Sequence, residues 1–285
     1  MKNSVRSYLS LKDRAGGSIL ITAIWILVVL SVFSSGLYRI VSARIRMSQA
    51  VESRKVSYFL AKSALIDAAG VLFKDNRPAY DTIFSLSEER SRTIGSGELI
   101  YTVEDEESRI DINQNSVEVI ARLPGLTGES ANAIVNSRLR PFTAKEELLL
   151  VEGISEEVFD GFKDFICLYS GGKVNINTAP REVLTALGID PALVNIIVDF
   201  RRGQDGKEGT ADDEIFESTA EILDRLRSRV SFMAAQEQTL AGVTNLLTAA
   251  SQYFRVKIKT YVFNKQAMYY EAVIGKSSVL EWRER

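Results

Sequence analysis

Between Arg14 and Arg39 the chain carries no charged residue, and the run 18–38, SILITAIWILVVLSVFSSGLY, is almost wholly apolar. As a helix it would reach about 32 Å, enough to cross a hydrocarbon core of roughly 30 Å. That is a bilayer span, longer than the roughly 7 to 15 apolar residues of a signal-peptide core. Lys2, Arg6, Lys12 and Arg14 precede it, and Arg39, Arg44, Arg46, Arg54 and Lys55 follow it, so the distribution of basic residues does not fix its orientation. Residues 39–73 continue without a proline, and Ala61, Leu65, Ala68, Ala69 and Leu72 recur at helical spacing. This pattern predicts one long helix, apolar at one end and amphipathic at the other; an anchor helix followed by an independent one satisfies it too.

The remaining residue types narrow the chemistry. Histidine is absent, which removes the usual general base and the usual transition-metal ligand. The single cysteine, Cys167, lies in the apolar run FICLY and reads as a buried thiol. No phosphate-cradling glycine loop, nucleophile elbow or zinc pattern occurs, and an enzyme is not expected. The formal net charge of −2 gives no global attraction for nucleic acid.

The chain repeats itself. RIDINQNSVEVIARL (109–123) returns as KVNINTAPREVLTAL (173–187), with Glu118 matching Glu182, Ile134 matching Ile197 and Arg138 matching Arg201. Each copy reads as strand, helix, tight turn and helix. The turns are LPGLTG (123–128) and LGIDP (187–191), the second with Asp190 and a proline as a helix start. These units resemble helix-hairpin-helix modules, which hold phosphates on hairpin N–H groups. Thr127 and Asp190 stand where a second glycine is usual, and Glu129 and Asp190 bring the wrong charge. Arg138, Arg140 and Lys145 are the best phosphate contacts left, and the other reading is a purely structural bundle.

Past the paired helices the second copy holds an insertion, RGQDGKEGTADDEI (202–215), with five carboxylates and three glycines. Such a loop brings no apolar surface to bury, and its carboxylates repel one another. It is either a solvated acidic loop or the site of a hard cation such as calcium. Asp205, Asp212 and Asp213 are the leading candidate ligands, with Glu208 and Glu214 as further ones; the spacing is not that of an EF-hand.

From Tyr253 the periodicity becomes two, with Phe254, Val256, Ile258 and Val262 alternating with Arg255, Lys257 and Lys259. FNKQA (263–267) is a turn, 268–274 a returning strand and 279–282 a third; 99–103 and 109–112 read as earlier strands. The simplest architecture is α+β: one antiparallel sheet beside the N-terminal helix, with the helical repeats inserted between its strands.

The junction RAGGS (14–18), a basic leader ending in glycine against the apolar run, resembles the type III signal of pilins and pseudopilins. Taken with EESRIDIN (106–113), GKVNINTAPREVL (172–184), DGKEGTADDE (205–214) and YFRVKI (253–258), it is similar to the K-type minor pseudopilins of bacterial type II secretion. That resemblance implies a pilin-like fold. Its parts would be a leader (1–17), a transmembrane and amphipathic helix (18–73), a first part of the sheet (74–112), a helical domain of two repeats (113–248) and closing strands (249–285). It implies cleavage by prepilin peptidase between Gly17 and Ser18, with methylation of the new amine, and calcium in the acidic loop.

It also makes Thr22 the fifth mature residue. Most pilin-like subunits carry glutamate there to meet a neighbour's terminal amine, so a neutral residue suits a subunit with none above it. The implied role is at the tip of the pseudopilus, initiating assembly. Partners would be the I- and J-type minor pseudopilins, the major pseudopilin, the inner-membrane secretion platform and membrane lipid, with no nucleic acid. The implied location is the bacterial inner membrane, single-pass, with the C-terminal domain in the periplasm. The alternative is a membrane-anchored helix-hairpin-helix DNA receptor.

Overall fold

The computed structural model describes residues 13–74, 80–229, 234–263 and 265–284. The chain divides into two units, one up to Lys55 and one from Val56 onward. Helix α1 (Asp13–Leu72) runs unbroken through the apolar segment, so the reading as one long helix holds. Its hydroxyl residues do not interrupt it, because Ser31 and Ser63 return their protons to the carbonyls four residues back. The apolar part has the length and hydropathy of a membrane span.

In the second unit the last turns of α1 bury Leu60, Ala61, Ala64, Leu65, Ala68 and Leu72 against the sheet, while Ala69 is only half-buried. The short helix α2 (Ile83–Ser87) starts on a capping box made by Thr82 and Ser85. Strands β1 (Arg90–Ile94) and β2 (Gly97–Asp105) then form a hairpin. The sheet is completed much later by β7 (Phe254–Val262), β8 (Lys265–Gly275) and β9 (Ser278–Glu284), in the order β1-β2-β7-β8-β9 and antiparallel throughout. Leu99, Tyr101 and Val103 of β2 and Phe254, Val256 and Ile258 of β7 meet the helix, the alternation expected of a sheet with one apolar face.

Everything between β2 and β7 is an inserted helical body, which is the α+β, pilin-like arrangement expected above. Its first half holds β3 (Ile110–Asp111), α3 (Val117–Ile120), α4 (Gly128–Val135), α5 (Glu156–Phe162) and β4 (Ile166–Cys167). The second holds β5 (Val174–Asn175), α6 (Arg181–Ala186), α7 (Pro191–Arg201), α8 (Ile222–Arg227), α9 (Ala234–Val243) and β6 (Leu247–Thr248). Gly125 and Gly188 turn the two hairpins with φ of +77° and +94°, and the Asp190 carboxylate caps α7 at the N–H of Ala192, 2.9 Å away.

One expectation needs correction. Residues 109–112 do not join the main sheet. A 3₁₀ turn over Glu106–Ser108 takes the chain off the ladder at Asp105, and β3 then pairs in parallel with β4, Ile110 opposite Ile166. The inserted body therefore begins at residue 106 and returns at Phe254, where β7 starts. In the second copy β5 pairs in parallel with β6, Val174 opposite Leu247.

Candidate functional site

Gly17 and Ser18 both fall within α1, and residues 1–12 of the expected leader lie outside the described residues. The Thr22 hydroxyl donates to the Ser18 carbonyl at 2.8 Å. The fifth residue after the glycine is thus neutral and satisfied by its own helix, with no need of a partner.

The acidic loop between α7 and α8 is a tight coil. Gly203, Gly206 and Gly209 all have positive φ, and a Cβ at Gly203 would collide with the Asp212 carbonyl, so only glycine allows the loop to close there. Asp212 is the loop's organiser. It accepts the Thr210 hydroxyl at 2.8 Å and the N–H groups of Gln204 and Asp205 at 2.8 and 2.9 Å. The Thr210 hydrogen bond, followed by the two backbone ones, holds its carboxyl below the ordinary aspartate range.

Asp213 accepts the Gly209 N–H at 2.8 Å and faces the same Thr210 hydroxyl at 3.3 Å, and Asp205 accepts the Lys207 N–H at 2.7 Å. Glu208 and Glu214 turn away from the loop's interior to pair with Arg201 and Arg229. The structure thus brings Asp212 and Asp213 together on one hydroxyl, which has a single proton for two carboxylate oxygens. No group of three or more acidic, histidine or cysteine side chains is gathered as metal ligands among the described residues. Of the five carboxylates, Asp212 and Asp213 are the two that share a contact, while Glu208 and Glu214 are held by arginines.

Where the body joins the sheet, sequence reasoning passed over a cluster of buried carboxylates. Asp105, at the end of β2, is fully enclosed and accepts from Thr178, Ser251 and Asn175 side chains at 2.6, 2.7 and 2.8 Å and from the Glu107 N–H at 2.8 Å. Burial raises its pKa against those donors. Glu107 accepts the N–H groups of Gln252 and Gly171 at 2.7 and 3.1 Å; burial first, and then the charges of Asp105 and Asp111, push it up to about 7. Glu106 instead takes a two-pronged bond from Arg255, at 2.6 and 2.8 Å, and Arg255 also reaches Glu271 at 2.9 Å. A buried guanidinium with carboxylates from two segments fixes the body on the sheet. The EDEES run (104–108) gave no sign of this, because consecutive acids at a strand end read as a solvated face.

The candidate phosphate contacts are largely spent inside the body. Arg140 donates to the carbonyls of Asn113 and Asn115 at 2.8 and 3.2 Å, and it, not Arg138, is the counterpart of Arg201, which holds the carbonyls of Ile176 and Ala179. Lys145 donates to the Lys163 carbonyl at 2.7 Å; burial, with the nearby Arg109 charge, lowers its pKa to about 8. Arg138 remains exposed.

Residues 105–167 match the model of the helix-hairpin-helix motif. A human protein, endonuclease/exonuclease/phosphatase family domain-containing protein 1, is 28% identical over 160 residues, covering 44% of this chain; the match spans only 28% of the human protein. Among solved structures, the chain is similar to one in the GspK-GspI-GspJ complex from the enterotoxigenic Escherichia coli type 2 secretion system. The TM-score is 0.55 at 16% identity, covering 85% of this chain and 98% of that one. At that identity the likeness is one of fold, the pilin-like arrangement with a helical body set into its sheet.

Proposed function

We propose that this chain is a K-type minor pseudopilin of a type II secretion system, held by its N-terminal span in the bacterial inner membrane with the folded domain in the periplasm. It caps the pseudopilus tip and initiates assembly with I- and J-type minor pseudopilins, ahead of the major pseudopilin and on the secretion platform. Catalysis has no part in this; binding energy does the work.

The observation that carries the reading is the insertion itself. A body of nearly 150 residues (106–253) interrupts a small sheet, and the chain shares that unusual plan over most of its length with a member of a complex of this kind. So large a body would obstruct a further subunit above it, and the neutral Thr22 suits a position with no such neighbour. Co-expression with I- and J-type minor pseudopilins should recover a complex from membranes, and failure of all pairwise and three-way combinations would count against the tip role.

Calcium belongs to the same proposal. Asp212 and Asp213, with Asp205 and backbone oxygens of the loop, would hold the ion, which would neutralise charge the loop otherwise leaves crowded. Calorimetry on the full chain should show calcium binding that Asp212→Ala abolishes; absence of heat from the unaltered chain would leave a solvated loop.

A second reading, a membrane-anchored DNA receptor, is favoured by the helix-hairpin-helix match over residues 105–167. Against it stand the internal commitments of Arg140 and Lys145 and the acidic first turn at Glu129. Duplex DNA binding with a steep salt slope would support this alternative.

A further inference from the structure

The apolar run is followed at once by Arg39, Arg44 and Arg46, and no acidic residue lies between Asp13 and Glu52. All three arginines are exposed on α1, and none pairs with a carboxylate among the described residues. Three guanidinium groups so close to a membrane span are conspicuous, because basic residues on the exported side of a span work against its insertion in the orientation proposed above. Lipid headgroups flank the span on both faces of a bilayer, so these arginines meet them in either orientation.

Their heights follow from the unbroken helix. At 1.5 Å per residue the three Cα atoms stand about 2, 9 and 12 Å beyond Tyr38. Helical side chains lean toward the N-terminus, here toward the membrane, and long basic side chains extend to place their heads at the interface. Arg46 already shows this bend, since its Nε donates to the Ser42 carbonyl at 3.2 Å, one turn nearer the span.

The angular arrangement selects the partner. At 100° per residue Arg39 and Arg46 project within roughly 20° of each other, whereas Arg44 lies roughly 140° from Arg39 around the axis. A docked protein surface covers one side of a helix; a layer of lipid headgroups meets every side. The geometry points to a phosphate collar: Arg39, Arg44 and Arg46 bind the phosphates of anionic phospholipids around the helix where it leaves the bilayer. Guanidinium groups suit this because their paired N–H donors match two phosphate oxygens at once.

The test uses the full chain reconstituted in phosphatidylcholine vesicles carrying a trace of spin-labelled phosphatidylglycerol or spin-labelled phosphatidylcholine. The fraction of each label immobilised at the protein is read from its spectrum. The unaltered chain should hold labelled phosphatidylglycerol over labelled phosphatidylcholine by roughly fivefold or more at low salt, and R39Q/R44Q/R46Q should lose most of that preference while keeping its helix content. Equal immobilisation of the two lipids by the unaltered chain would overturn the inference. So would a preference that the triple variant retains, which would belong to the basic residues ahead of the span, and so would failure of the chain to float with the vesicles. A preference lost in the variant but restored in R39K/R44K/R46K would keep the lipid partner and assign it to charge alone.

Discussion

Glu107 shows how far burial can move one side chain. Its pKa rises from 4.5 to about 7 because the carboxylate is enclosed and faces Asp105 and Asp111, while its donors are only backbone N–H groups. A carboxyl whose pKa is higher folded than unfolded stabilises the fold fully below about 4.5, and that stabilisation is lost as pH rises through about 7. Between pH 7.5 and 5 the folded domain should therefore gain stability, on the order of 2 kcal/mol from this group. Glu107→Gln should flatten that rise in urea unfolding across the same window; an unchanged slope would mean that Asp105 and Asp111, also raised by burial, dominate. None of this was legible in the sequence. An acidic run reads as a solvated face until the fold closes over it, and only contacts 64 to 146 residues away in the chain show that Asp105 and Glu107 are enclosed.

At the scale of elements, the repeat was the clearest message in the sequence, and its physical content is a pair of asparagine clamps. Asn113 donates to the Phe142 carbonyl at 3.0 Å and accepts the Phe142 N–H at 2.8 Å; Asn177 does the same with Phe216, at 2.9 Å in both directions. Each amide closes a loop onto its strand and lets the phenylalanine insert into the core. This explains why INQN and INTA recur with asparagine at the same place, and why Phe142 and Phe216 share a fixed context. Asn177→Ala would leave a buried N–H and C=O without partners, at a cost of roughly 2 to 4 kcal/mol in chemical denaturation. Asn113→Ala, at a half-buried site, should cost less; a loss below about 0.5 kcal/mol at Asn177 would show that water replaces the clamp. The strands that each repeat ends on, β4 and β6, went unread because two residues carry no periodicity. Strand β1 went unread because RSRTI (90–94) is an exposed edge held by β2 alone.

For the whole molecule, the sequence sufficed where a pattern was long: the uncharged span, the amphipathic continuation of α1 and the alternating strands at the C-terminus. It misjudged where the sheet ends, because Ile110 and Ile112 look like strand residues wherever they pair, and only the turn at 106–108 diverts them into the body. The architecture that results joins an apolar anchor to a sheet split by a large helical insert, and every step of the proposed role depends on release of the anchor's leader at Gly17. The measurement that tests this most directly is the mass of the mature N-terminus, taken from the chain produced with and without a prepilin peptidase. Peptidase-dependent cleavage that leaves a methylated Ser18 is the result the account predicts. A leader that stays intact from Met1 in both samples would make the span a static anchor and contradict the assignment to a pilin-type assembly.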